Sequence, residues 1–158
     1  MSNLTVDLNQ NTANKNNVLI KLLVFKIGKL TLALPILQVQ KVVRQSEVCG
    51  SGLSHVSLTH LGEREIAVLD LHQKLFKVSL AKAQTQGYFI ISQNVREEPL
   101  GILVSQAPGL IDVPVEQIRL VPDAYRRADT LEIASHVTVV TQGEETLTIF
   151  ILDLAKLI

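Results

Sequence analysis

Two aspartates that follow matching apolar runs have the clearest potential for chemistry in this sequence. They lie in the segments Ala67-Val-Leu-Asp-Leu71 and Phe150-Ile-Leu-Asp-Leu154. One carboxylate from each half of a chain is the arrangement of aspartic proteases, in which two like charges share a proton. That chemistry also needs a glycine-containing turn with Ser or Thr after each aspartate, whereas leucine follows both here. We therefore interpret Asp70 and Asp153 as caps of short helices.

The other reactive side chains do not form a recognisable site. The single cysteine, Cys49, cannot form an internal disulfide, and no neighbouring base in the sequence would activate it as a nucleophile. Gly50-Ser51-Gly52 has too few glycines to cradle a phosphate and is interpreted as a flexible linker. None of the histidines has the spacing of an H-E-x-x-H motif: His55, His60, His72 and His136. We predict no catalytic, metal-binding or cofactor-binding residues, and hence no enzyme.

Composition narrows the class of protein. The chain has 158 residues, of which 47% are hydrophobic and 19% charged, as expected of a folded domain. Its formal net charge of zero and its aromatic content of 4% argue against a nucleic-acid partner. No run approaches the roughly 18 apolar residues of a membrane span, and the polar start does not resemble a signal peptide. A cytoplasmic protein without direct membrane insertion is expected.

The order of patterns along the chain predicts one all-β domain behind a tail. Residues 1–17 contain six asparagines and are expected to be a disordered tail. Residues 18–158 show many short apolar runs separated by turn residues, which is typical of barrels or a sandwich. Ser46–Ser57 is rich in serine and glycine and is predicted to be a loop. The two matching Asp segments close two halves, with a crossover near 77–87. Two similar small barrels are therefore expected.

Several ordered blocks are similar to the CheW family of chemotaxis coupling proteins. Each block alone is only an apolar strand with a turn, but their order and spacing together are specific. The resemblance covers about Leu22 to Ile158. Its blocks are Leu23-Val-Phe-Lys-Ile-Gly-Lys-Leu-Thr-Leu-Ala-Leu-Pro-Ile36, Val39-Gln-Lys-Val42, His60-Leu61 with Ala67-Val-Leu-Asp-Leu71, Leu100-Gly-Ile-Leu-Val104, Glu116-Gln-Ile-Arg119 with Pro122, and Ile151-Leu-Asp-Leu154.

The resemblance implies an all-β fold of two intertwined SH3-like five-stranded β-barrels with short capping helices. It also implies a non-enzymatic adaptor that couples chemoreceptors to a CheA-type histidine kinase, with no cofactor. The expected partners are the regulatory domain of that kinase, which is itself CheW-like, and the cytoplasmic tip of a chemoreceptor. The partner-binding residues expected on this basis are Val39, Lys41, Val43, His60, Leu61, Gly62, Glu63 and Arg64.

Two observations leave alternatives open. Val39 and Val43 have the character of core residues as well as of a binding segment. In the contact loop the family has Arg-Gly after Asn-Leu, whereas this chain has Gly62-Glu63 after His60-Leu61. Glycine cannot supply the hydrogen-bond donors of an arginine. A CheW-like adaptor in another phosphorelay, without standard receptor binding, is therefore the alternative function.

Overall fold

Short strands dominate the residues that the computed structural model describes, which are 18–53, 55–79, 86–94, 96–122 and 132–157. None of the helices in these ranges is long and apolar enough to cross a membrane. The elements in chain order are β1 (Leu19–Ile27), β2 (Leu30–Pro35), the 3₁₀ helix η1 (Ile36–Gln38), β3 (Val39–Arg44), β4 (Cys49–Leu53), β5 (Val56–Leu61), β6 (Arg64–Leu69), α1 (Leu71–Phe76), β7 (Tyr88–Gln93), β8 (Pro99–Val104), β9 (Gly109–Pro114), η2 (Val115–Gln117), β10 (Arg119–Leu120), β11 (Ala134–Gln142), β12 (Glu145–Leu152) and η3 (Leu154–Lys156).

The strands form two sheets that exchange hairpins. Sheet 1 has the order β10-β11-β12-β2-β1-β9, and sheet 2 has the order β3-β7-β8-β6-β5-β4. The β1–β2 hairpin therefore joins four strands of the second half, and the β7–β8 hairpin joins four strands of the first. Each exchanged hairpin attaches through a parallel pair, β12 with β2 and β6 with β8. The expectation of two intertwined all-β units is confirmed, although each sheet pairs six strands instead of five.

The same order of pairing occurs twice along the chain. Strands β1–β6 make, in sequence order, the same types of pairing as strands β7–β12. Residues 77–87 connect these two sets, and only 77–79 and 86–87 are among the described residues. The crossover near 77–87 stays a prediction, and so does the disordered tail, since residues 1–17 lie outside the described ranges.

The core has three parts because both faces of the central strands are buried. A shared cluster lies between the sheets, and a smaller cluster fills the inside of each sheet. On β1, Leu22 faces the inside of sheet 1 whereas its neighbour Leu23 belongs to the shared cluster. On β7, Ile90 belongs to the shared cluster and Phe89 to the cluster of sheet 2. Alternate residues point to opposite faces of a strand, so strands buried on both faces have continuous apolar runs.

Both aspartates are caps, as the sequence predicts. The Asp70 carboxylate accepts a hydrogen bond from the Gln73 amide (3.0 Å) at the start of α1. The Asp153 carboxylate accepts one from the Ala155 amide (3.1 Å) at the start of η3. Each carboxylate satisfies an amide that a helix start leaves without a partner.

The prediction of a loop over Ser46–Ser57 was wrong for Cys49–Leu53 and for Val56 and Ser57, which lie in strands, whereas residues 46–48 have no regular structure. Cys49–Leu53 form the edge strand β4, which pairs antiparallel with β5, with an irregularity between Gly50 and Leu53. The serine and glycine content indicated a loop, but an edge strand is held by backbone hydrogen bonds and needs no apolar side chains. Gly50 and Gly52 are therefore part of a strand and not of a linker.

Candidate functional site

A groove with a mixed polar and apolar lining runs along η3 at a place where elements of both sheets meet. Two cavities of about 590 and 480 Å³ adjoin there, since both are lined by Asn94, Leu154 and Ala155. The first cavity is otherwise lined by Arg64, Glu65, Ile66, Ala67, Arg96, Glu98, Pro99 and Leu100. The second is otherwise lined by Gln38, Gln93, Ser135, His136, Leu152 and Asp153. We call this combined space the η3 groove.

The turn between β7 and β8 forms one wall of the η3 groove and is held in shape by Asn94. The Asn94 side-chain oxygen accepts hydrogen bonds from the amides of Arg96 (2.8 Å) and Glu98 (3.0 Å). The backbone amide of Asn94 donates in turn to the backbone carbonyl oxygen of Glu98 (2.9 Å). An asparagine that bonds to its own turn replaces backbone pairing and stiffens the loop. Asn94, Arg96 and Glu98 are therefore held to one another in this wall.

The short helices after Asp70 and Asp153 differ between the two halves. In the first half, α1 is six residues long and Phe76 at its end packs beside the β1–β2 turn. The 3₁₀ helix η3 has only three residues, of which Leu154 packs against the shared core. Leu154 and Ala155 of η3 line both cavities of the groove.

One end of the η3 groove is charged with both signs. Arg64 and Glu65 on β6 line it together with Arg96 and Glu98 on the opposite wall. His60 lies across from Glu65 on β5, with its Nε2 3.9 Å from a Glu65 carboxylate oxygen. Arginine presents several donors in a planar fork, whereas carboxylates only accept. This end is suited to polar side chains of a protein partner.

The other end of the groove is lined by Gln38, whose neighbour in the chain is an exposed leucine that the sequence did not single out. Leu37 in η1 is 97% exposed. Its neighbours Ile36 and Val39 pack against the shared core, since residues three apart share one side of a 3₁₀ helix. The turn is anchored by the buried hydroxyl of Ser92, which donates to the carbonyl oxygen of Gln38. The spacing of three between Ile36 and Val39 was the sequence feature that could have predicted an exposed Leu37 between them.

The predicted binding residues on β3 differ in how far they are buried. Val39 is half-buried against the shared core, and it directly follows the groove residue Gln38. Val43 is half-buried against the core of sheet 2. Lys41 is exposed between them. The core interpretation of the two valines thus fits their packing, and Lys41 is free to meet a partner.

The predicted residues of the β5–β6 hairpin differ in exposure. Leu61 packs against the same core cluster as Val43, so the structure brings these two together inside sheet 2. Gly62 and Glu63 form the exposed tip of the turn. Arg64 directly lines the groove. Of the loop residues, Arg64 therefore has the most direct access to a ligand in the groove.

A second groove, of about 460 Å³, lies on sheet 1 and is more apolar. Leu120 and Val139 on its walls are 66% and 50% exposed. It is otherwise lined by Glu116, Gln117, Arg119, Pro122, Val137, Thr138, Thr148 and Phe150. We call it the β10 groove. Within the described ranges no three His, Cys, Asp or Glu side chains gather in a way that could hold a metal ion.

Comparisons with known proteins agree with this architecture. Residues 21–158 match the family profile of the CheW-like domain. The crystal structure of the scaffolding protein TtCheW from Thermoanaerobacter tengcongensis superposes with a TM-score of 0.73 at 17% sequence identity, covering 89% of this chain and 88% of that one. At that identity the superposition shows the fold. No curated protein sequence gives a significant match. Because the profile spans nearly the whole described chain, the protein belongs to the CheW-like family of scaffold and adaptor proteins.

Proposed function

We propose that this protein is a non-enzymatic cytoplasmic adaptor that couples chemoreceptors to a CheA-type histidine kinase. Membership of the CheW-like family supports this function. The mechanism is geometric: two surfaces on one rigid body hold the receptor and the kinase in a fixed relation. Holding both at once raises the effective concentration of each near the other, so that an array forms.

The observation that carries the receptor contact is the η3 groove, which joins Leu37 near one end to Arg64 at the other. An almost fully exposed leucine beside a groove is a suitable anchor for an apolar side chain of a partner. The charged end offers Arg64 and Arg96 for partner carboxylates. We assign this groove to the cytoplasmic tip of the receptor.

Arg64 offers a substitute for the arginine that the family carries in the contact loop. Gly62 stands in that place, at φ +64°, and among the described residues only its chain neighbours come within 4 Å of where its Cβ would be. Arg64 is two residues further on and lines the groove from β6. The guanidinium group is thus supplied from the strand instead of the turn, and the receptor is expected to contact Arg64.

The edge strand β3 is the surface that we assign to the kinase. Strand β3 is the outermost strand of sheet 2, and Val42 on it is 38% exposed between the exposed residues Lys41 and Arg44. The Arg44 guanidinium lies over the Tyr88 ring, 5.9 Å from its centroid. An apolar patch with a charged rim on a sheet edge suits the barrel of a CheW-like regulatory domain.

Calorimetric titrations test both contacts separately. The wild-type protein should bind the isolated regulatory domain of the kinase and a receptor-tip fragment. Leu37→Asp and Arg64→Glu should lose receptor binding and keep kinase binding, whereas Val42→Glu should do the opposite. Thr141→Asp, at an exposed position on β11, is the control and should keep both. Absence of detectable binding to the regulatory domain at about 100 µM would contradict the proposal.

The alternative is an adaptor for another phosphorelay that does not bind receptors in the standard way. The glycine at position 62 of the contact loop favours it. In that case the wild-type protein binds the kinase domain only, and Gly62→Arg restores binding to the receptor tip. Receptor binding by the wild-type protein that is lost in Arg64→Glu excludes this alternative.

A further inference from the structure

Strand β11 carries a β-bulge at the place where it lines the η3 groove. The adjacent residues Leu152 and Ile151 of β12 pair with Ala134 and His136, which are two apart on β11. Ser135 is therefore the extra residue of the bulge. In a regular strand consecutive side chains point to opposite faces, but Ser135 and His136 line the same cavity of the groove. The bulge brings both side chains to one side, which is a common use of bulges beside binding sites.

The corresponding strand of the first half, β5, is built without this extra residue. In each half the amide of the capping aspartate donates to a carbonyl oxygen just before the strand, that of His55 (2.8 Å) and that of Ile133 (2.9 Å). The buried Thr59 follows four residues after His55, whereas the buried Thr138 follows five residues after Ile133. Strands β5 and β6 pair without any shift of register. The repeated fold thus forms without the bulge, and Ser135 is an insertion that serves another purpose.

The insertion joins a hydroxyl to an imidazole ring. The Ser135 hydroxyl oxygen lies 2.8 Å from Nδ1 of His136, which is hydrogen-bond distance. The backbone of the bulge is held as well, because the Val121 amide donates to the carbonyl oxygen of Ser135 (3.0 Å). A hydroxyl that donates to Nδ1 leaves the ring proton on Nε2, so that Nε2 becomes a hydrogen-bond donor. Ser135 thus selects which ring nitrogen of His136 is offered to a ligand.

The rest of this cavity also has polar walls. Gln38 of η1 and Gln93 of β7 line it, and their amide groups can donate as well as accept. A second register shift lies beside them, on β3 between Val39 and Lys41. The Asp153 carboxylate, which lines the cavity too, already accepts the hydrogen bond of its helix cap. The cavity between the two bulges therefore offers donors to an oxygen acceptor of a partner.

We propose that His136 is a specificity-determining residue of the η3 groove, whose Nε2–H donates to a side-chain carboxylate or amide oxygen of the partner, and that Ser135 is the positioning residue that sets this tautomer. The inference rests on the proposed function, because it takes the receptor tip as the partner. A tip with an apolar side chain at this point is rejected, since a donor that loses water without gaining an acceptor costs free energy.

Nitrogen NMR of the full chain without any partner tests the positioning step. Spectra that correlate ring nitrogens with ring protons are recorded at about pH 8, where an ordinary imidazole is neutral. The His136 signals are assigned by their loss in His136→Phe, and they should show the proton on Nε2. Ser135→Thr keeps the hydroxyl and should keep this tautomer, whereas Ser135→Ala should give a mixture of both. A wild-type ring with its proton on Nδ1 overturns the proposal.

Calorimetric titration with a receptor-tip fragment tests the contact itself. His136→Phe keeps a ring without nitrogens and should weaken binding of the tip about tenfold. His136→Gln places an amide N–H near the position of Nε2 and should recover most of that loss. Ser135→Ala should weaken binding by about threefold, less than His136→Phe. Ser57→Ala, at the matching place of the first half, is the control and should bind as the wild type does.

The outcomes separate this inference from the proposed function. All variants should bind the kinase regulatory domain as the wild type does, which shows that they are folded. If His136→Phe binds the tip as tightly as the wild type, the inference is overturned and the proposed function stands. Equal losses in His136→Phe and His136→Gln also overturn it, because the ring would then only fill space. A wild-type protein that binds the regulatory domain but not the tip overturns the receptor contact together with this inference.

Discussion

The hydroxyl of Thr59 donates a hydrogen bond to the carbonyl oxygen of Glu47, with the two oxygens 2.7 Å apart. In the second half, the Thr138 hydroxyl donates to the Gln117 carbonyl oxygen at 2.9 Å. Thr59 lies on β5 and Thr138 on the corresponding strand β11, and both are almost fully buried. In each case the threonine holds the segment that connects one edge strand of the sheet to the other. The repeat thus includes, in each sheet, a threonine hydroxyl that binds the segment between the two edge strands.

Replacing either threonine by valine should lower stability. Thr59→Val and Thr138→Val keep the shape of the side chain but leave a backbone carbonyl without its donor, which costs about 1–3 kcal/mol each. Thr141→Val on β11 changes an exposed threonine and should shift the free energy of unfolding by less than about 0.5 kcal/mol. Urea denaturation measures all three. Equal small effects in the three variants would show that these two hydrogen bonds do not stabilise the fold.

The two capping aspartates should differ in importance. Asp70 is buried and accepts from the Gln73 amide and from the Ser79 hydroxyl, each at 3.0 Å. Asp153 is more exposed and accepts from the Ala155 amide. We expect Asp70→Ala to cost about 1–3 kcal/mol and Asp153→Ala about 0.5–1 kcal/mol of unfolding free energy.

Binding measurements distinguish a cap from a functional carboxylate. Asp153→Ala should melt at a lower temperature than the wild type and still bind its partners in the cold. Lost binding without any change in melting temperature would mean that the Asp153 carboxylate itself takes part in recognition.

Two hairpin glycines provide a matched test of the packing of α1 against the β1–β2 turn. Gly28 (φ +59°) and Gly143 (φ +64°) both begin two-residue turns in the left-handed region. A Cβ at Gly28 would lie 2.9 Å from a ring carbon of Phe76, whereas at Gly143 the described part of the chain offers no atom within 4 Å beyond the neighbouring residues. Gly143→Ala should therefore cost about 1–2 kcal/mol for the backbone alone, and Gly28→Ala should cost measurably more. In Phe76→Leu the two glycine substitutions should have closer costs, because the leucine has no ring to meet the new methyl group.

Stability should fall on mild acidification because of His55. Burial, followed by the positive charges of Lys74 and Lys77, lowers the pKa of His55 below its usual 6.5. The folded protein therefore prefers the neutral ring, and the unfolded chain binds more protons between the two pKa values. The contribution is fully present above about pH 6.5 and is lost progressively as the pH falls towards the folded-state pKa.

Thermal melts between pH 8 and pH 5 measure this effect. His55→Gln should reduce the slope of melting temperature against pH, whereas Thr141→Val, at an exposed position without a titratable group, should leave it in place. An unchanged slope in His55→Gln would assign the acid sensitivity to other groups.

Adjacent residues of η1 should separate stability from recognition. Ile36 packs against the shared core and Leu37 is 97% exposed. Ile36→Ala should lower the unfolding free energy by about 1–3 kcal/mol, and Leu37→Ala by less than about 0.5 kcal/mol. If Leu37→Ala destabilised the protein as much as Ile36→Ala, the leucine would be structural and the groove anchor would lie elsewhere.

The sequence by itself determined the local elements. The Gly28-Lys29 turn between two apolar runs predicts the first hairpin, and Asp70 with Gln73 three residues later predicts the start of α1. These features depend on neighbours in the chain, so the residue types decide them. The repeated Asp segments likewise predicted two related halves, and the ordered blocks predicted the family.

The tertiary structure alone decided which half completes which sheet and where the groove lies. The β1–β2 hairpin pairs with β12, more than a hundred residues away, through backbone bonds that carry little sequence information. The same is true of β4, whose Gly50 and Ser51 looked like a loop. Arg64 and Gln38 line the two cavities of one groove because the fold places Asn94, Leu154 and Ala155 between them. Such long-range packing is a property of the whole fold, and a local pattern of residues does not encode it.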